Sequence, residues 1–264
     1  MNIFWREMTA NRRGLIIWCV CLFLLVASGM AKYASYSAGG QSAQLLSRLP
    51  QSMKALLGFG SFDPTTISGY FAMLFLYIEL AVAVHEALLG SSIIAKEERD
   101  KTTEFLMVKP VARYAILTSK LAAAFVNVVI LNLITWGSSM VLVQQYNKGN
   151  EISSEIGLFM RSMFLVQIIF LVLGTAVAAS QRNAKSASSV TIGILLVGYV
   201  ISRITSLTDR LNVLDVFSPF QYFSYARMVN GQGLNPLMTV LVLVLFGVLV
   251  VWTYLSYQRR DLGV

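Results

Sequence analysis

Glu79, His85 and Glu86 are the side chains best suited to chemistry, because they lie together inside a long apolar run. A charge at mid-bilayer costs on the order of 2.5 to 3.5 kcal/mol, so such groups face a bundle interior or water, or carry a proton. The seven-residue spacing of Glu79 and Glu86 puts them nearly on one helical face, about 10 Å apart along the axis. Two roles fit. They could line a translocation path and meet a polar or cationic part of a substrate. They could equally tie helices together through hydrogen bonds to Asn127, Asn132, Thr135 or Gln167.

Other chemistries lack their residues. No G-x-x-x-x-G-K-[ST] loop occurs, and no Gly-Lys dipeptide, so nothing cradles the phosphates of ATP. A single histidine argues against a Ser-His-Asp triad or a His-based zinc site, and His85-Glu86 is not followed by the second His of H-E-x-x-H. Cys19 and Cys21 stand two apart within an apolar run and point in different directions from a helix, as buried free thiols would. The expectation is therefore no catalytic residue, no metal and no cofactor bound by this chain.

The densest polar island is Lys96 to Arg113, reading KEERDKTTEFLMVKPVAR. Glu97, Glu98, Arg99, Asp100 and Lys101 read as solvated, whereas Phe105, Leu106, Met107 and Val108 form an apolar patch rimmed by charge. Such a patch is either an interfacial helix on lipid or a docking surface for another protein. Pro110 ends one helix or starts the next.

The elements that must position these residues follow from hydropathy. The 264-residue chain is 56% hydrophobic and only 13% charged, with a mean hydropathy of +0.66, and its apolar residues are gathered into long blocks. One soluble core could not bury them. Six stretches are long enough to cross a hydrocarbon core about 30 Å thick: 14–34, 69–95, 116–143, 157–180, 187–202 and 237–257. The first is too long for a signal-peptide core, so it reads as a span. The fold class expected is an all-α integral membrane protein, a single domain over 1–264.

The net charge of +8 reflects topology, since no basic stripe interleaved with aromatics suggests nucleic acid. An inside amino terminus gathers Arg6, Arg12, Arg13, Lys96, Arg99, Lys101, Lys109, Arg113, Lys120, Arg182, Lys185, Arg259 and Arg260 on the cytoplasmic face. Both termini are then cytoplasmic. Ile3 to Arg13 reads as an amphipathic interfacial helix. Two outer connections are too apolar for solvated loops. Leu45 to Leu57 reads as a helix broken at Pro50, and Leu211 to Met228 as short outer-leaflet helices before the last span.

Several of these features together resemble the permease subunits of ABC-type exporters of the six-span, type V class. They are Glu97-Glu98, Thr102-Thr103-Glu104-Phe105-Leu106, Lys109-Pro110-Val111-Ala112-Arg113 and Ser119-Lys120-Leu121, with Ser218-Pro219-Phe220-Gln221-Tyr222-Phe223 before the last span. Lys101 and Ala112 depart from the family pattern, which favours Gly and Ser or Thr there. The resemblance implies a coupling helix between spans two and three that inserts into a separate ATPase subunit, with Glu97, Glu98, Thr102, Thr103, Glu104, Phe105, Leu106, Lys109, Pro110 and Arg113 as its residues. It further implies a second permease chain, as homodimer or heterodimer, ATP and Mg handled by the ATPase, and a bacterial plasma membrane. The competing reading is a stand-alone secondary transporter or membrane sensor using Glu79, His85 and Glu86.

Overall fold

The computed structural model describes residues 3–33, 48, 50, 53–54, 62–63, 65–100, 111–147, 152–181, 183–207 and 214–259. Its elements are helices: α1 (Ile3–Ala31), α2 (Ile67–Arg99), α3 (Arg113–Tyr146), α4 (Ser153–Ser180), α5 (Ala187–Thr205), a 3-10 turn (Pro219–Gln221), α6 (Tyr225–Val229) and α7 (Pro236–Arg259). Among the described residues, six of these helices are long and apolar enough to cross a membrane. They match the six expected spans, with most ends extended by one to four residues.

Local chemistry sets several of those ends. Thr66 caps α2 by accepting from the Gly69 amide at 3.1 Å. Pro236 begins α7 at a position where its missing N–H costs nothing, and Asn235 Oδ1 accepts from the Leu237 amide.

α2 and α4 form the centre of the bundle: 67% of the apolar stretch of α2 and 78% of that of α4 is buried, against 11% for α7. Their backbones touch. A Cβ on Gly90 would overlap the Leu171 carbonyl, and one on Gly174 would lie 2.6 Å from the Ala87 oxygen. Lipid supplies no hydrophobic drive between helices, so van der Waals contact through small residues holds this pair. Farther along, Phe75 and Phe159, with centroids 4.8 Å apart, both pack against the Tyr225 ring of α6, and Phe71 packs against the two phenylalanines. In the described part of the apolar segment before α7, Phe220, Tyr222, Phe223 and Met228 are buried, in and around the 3-10 turn and α6.

Three expectations change. Ile3 to Arg13 is not a separate interfacial helix; it is the first part of α1, because nothing in it breaks a helix and Arg6 and Glu7 find partners on α2. α2 runs on to Arg99, which carries Lys96 and Glu97 into the bundle. Glu97 is consequently buried, and only Arg99 and Asp100 of the described KEERD residues are fully exposed. Most of 45–57 and all of 101–110 lie outside the described residues.

Candidate functional site

α2 carries Glu79, His85, Glu86 and Glu97 in the interior, and the polar contacts around them fall into three clusters along its length. At its first third, Glu79 is 2% exposed and accepts a hydrogen bond from the Tyr225 hydroxyl at 2.5 Å. Burial and the neighbouring Glu79 charge push the Tyr225 hydroxyl well above the usual phenol range, which keeps it a donor. Arg203 of α5 contributes positive charge nearby, lies 5.4 Å from the Tyr199 ring centroid, and donates to Ser202 Oγ at 2.8 Å.

Midway, Glu86 is fully buried. Its Oε1 is hydrogen-bonded to His85 Nδ1 at 3.1 Å and accepts from Gln167 Nε2 at 3.4 Å. Gln167 Oε1 in turn accepts from Asn132 Nδ2 at 2.9 Å, so one polar chain joins α2, α4 and α3. Glu86 Oε2 is buried with no partner among the described residues. Neither of the other expected partners reaches a glutamate: Thr135 donates to Leu131 O of its own helix, and Asn127 Nδ2 donates to Ala123 O of its own helix and to Met8 Sδ of α1. Glu79 and Glu86 therefore each have a different partner, despite sharing a helical face.

The third cluster lies where α2 leaves the bundle. Lys96 pairs with Glu7, Arg6 bridges Glu7 at 3.2 Å and Glu97 at 3.3 Å, and Lys120 donates to Glu97 at 2.5 Å and to the Ile93 carbonyl at 2.7 Å. Three cations and two anions from α1, α2 and α3 are thus joined, and Glu7 and Lys120 are fully buried. A buried ion pair gains little net stability over an apolar contact, but removing one member leaves an uncompensated charge. The cluster is therefore a positional clamp.

The sequence placed Arg6 among the cytoplasmic basic residues, Lys96 at the start of the coupling segment, Lys120 in the Ser119-Lys120-Leu121 motif and Tyr225 in the apolar segment before the last span, but joined none of them to a carboxylate. One signal was available for Lys120: Ile116, Leu117, Ala123 and Ala124, its neighbours one turn away on the same helix face, are all apolar.

Of the expected coupling residues, Glu97 belongs to the clamp and Glu98 is half-buried. Arg113, at the start of α3, is exposed and donates to the Gln258 carbonyl of α7 at 3.3 Å. Thr102, Thr103, Glu104, Phe105, Leu106, Lys109 and Pro110 lie outside the described residues. Cys19 is a buried free thiol and Cys21 an exposed one. No three His, Cys, Asp or Glu side chains among the described residues converge on a metal-sized site.

Six spans and buried charge on the second of them fit several transporter families, so comparison with known sequences decides between them. A profile of the ABC-2 family transporter proteins matches residues 1–262. The chain belongs to the ABC-2 family. A comparison with curated proteins gave no match. This ABC-2 chain is accordingly a multi-pass, membrane-embedded transporter domain, and its three polar clusters are features of such a domain.

Proposed function

We propose that the chain is the permease subunit of an ATP-driven exporter, pairing with a second permease chain and coupled through 96–113 to a separate ATPase subunit. The observation that carries this reading is the ionic clamp on the end of α2. It fixes Lys96 and Glu97 to α1 and α3 immediately before 101–110, the segment whose TTEFL and KPVAR sequences resemble a coupling helix. A docking segment transmits force only if its base is rigid. In this reading ATP binding draws the ATPases together, the push on 96–113 passes through the clamp into α1 and α3, and the two permease bundles rock between inward-open and outward-open states. The helix that receives the push, α2, is also the one most tightly packed on α4, which supports motion of the bundle as a body.

The test is removal of the apolar patch. Burying a Phe and a Leu is worth roughly 1.5 to 3 kcal/mol each, so Phe105→Ala with Leu106→Ala should weaken ATPase association by about tenfold or more. Membrane insertion should persist, because no span residue has changed. Unchanged ATPase co-purification and unchanged transport would return 96–113 to the status of a lipid-facing connection.

A further inference from the structure

A cavity of about 310 Å³ opens between α1 and α2, with α3 and α5 contributing Asn127 and Ser188 to its wall. The two principal helices run antiparallel in a fixed register. Glu7 pairs with Lys96 and the Trp18 ring lies 5.1 Å from His85, a step of eleven residues on each helix. Asn11 and Gly14 of α1 therefore stand opposite the α2 stretch between Leu88 and Ser92.

The polar groups of the cavity gather at its basic end. Arg99 engages Asp100 through Nε at 3.1 Å, and its other guanidinium nitrogens have no hydrogen bond among the described residues. Side chains lean toward the start of their own helix, so Arg99 leans back over Ser92 and the cavity. Asn11 Nδ2 is buried and without a partner among the described residues. Both groups donate and neither requires a proton from a ligand. Deeper in, Leu15, Trp18, Leu88 and Leu89 line the wall as far as His85. Arg99 and His85 are 14 residues apart on α2, about 21 Å, and from the level of Asn11 and Ser92 the apolar length down to His85 is about 10 Å, room for the upper part of one alkyl chain.

We infer that this groove binds an anionic amphiphile from the membrane, with its head at Arg99 and Asn11 and one alkyl chain lying against Leu15, Trp18, Leu88 and Leu89. The donors at the rim match an anionic head such as a phosphate, and a free phosphate would leave the apolar length of the groove unfilled. Exposed Arg12 and Arg13 on the adjoining turn of α1 raise the positive potential at the same level. The volume takes one chain and leaves a second in bulk lipid. Arg99 also falls within the 96–113 segment of the coupling reading, but the site uses no member of the ionic clamp and no ATPase, so lipid quenching in the chain alone tests it separately.

Gly14 supplies the means of testing it, because it lines the groove and a Cβ there meets nothing within 4 Å, which leaves room for a larger side chain. The full-length chain carrying Trp5→Phe, Trp136→Phe and Trp252→Phe keeps Trp18 as its one tryptophan reporter. In phosphatidylcholine nanodiscs, brominated phosphatidylglycerol should quench Trp18 at about fivefold lower mole fraction than brominated phosphatidylcholine. Gly14→Leu should reduce quenching by both lipids, and Arg99→Gln, at an exposed position, should erase the difference between them. Equal quenching by both lipids in the starting protein would overturn the proposal, as would a preference that survives both substitutions. Relief of quenching by water-soluble glycerol phosphate would assign the site to free phosphates and overturn the membrane source.

Discussion

Lys120→Met tests the clamp most sharply, because the side chain is fully buried and holds two groups at once. Its ammonium donates to Glu97 Oε2 at 2.5 Å and to the Ile93 carbonyl at 2.7 Å. Met keeps the length of the side chain and removes the charge, leaving Glu97 with Arg6 at 3.3 Å, an arginine that is itself part-exposed. Breaking a buried pair from one side costs about 3 to 5 kcal/mol. At roughly 2 to 4 °C per kcal/mol for a chain of this size, Tm should fall by about 10 °C. Cys19 supplies the readout: in a Cys21→Ser background the buried Cys19 thiol is the remaining cysteine, and a thiol-reactive dye reports when the bundle opens. Glu97→Gln added to Lys120→Met removes the orphaned charge and should recover at least half of the loss, a coupling that independent sites would not show. A single variant as stable as the parent, or a double variant as unstable as the sum of both singles, would refute the clamp.

Tyr225→Phe leaves the buried Glu79 carboxylate without its donor and should destabilise by about 1 to 3 kcal/mol, while Glu79→Gln retains a hydrogen-bonding group and should cost less; the same dye assay ranks them. Because Glu79 and Glu86 each have bonded partners within the chain, Glu79→Gln and Glu86→Gln are expected to leave transport by the assembled complex within about twofold of the parent. A larger loss at full assembly would place them on the translocation path instead. Gly90→Leu forces α2 away from the Leu171 carbonyl and should abolish recovery of folded protein in mild detergent, whereas Gly14→Leu should leave recovery unchanged. For topology, a cysteine at Lys101 should be shielded from a membrane-impermeant reagent in intact cells and one at Lys54 should react; the opposite pattern inverts the orientation.

The spans were legible because they depend on a property summed over about 20 residues, the free energy of leaving water for lipid, and no tertiary contact can reverse a sum of that size. That the apolar stretch before the last span contains short helices was readable on the same ground, since so many aromatics cannot remain in water, and the described residues from Leu214 onward hold such turns. Membership of the ABC-2 family was legible as well, in the order of motifs that are individually modest. The fate of individual charges was not. Lys96, Glu97 and Lys120 looked like solvated or topological residues, because a lone charge near the end of an apolar run is cheapest at the headgroups. Only the packing of α1, α2 and α3 brings Glu7 and Glu97 to those cations, and the Coulombic attraction between groups distant in sequence then offsets their burial. Glu79 and Glu86 show the same limit. Sequence fixes their spacing on one helix, but α6 reaches only one of them and α4 only the other, so the partners are set by which helices pack where.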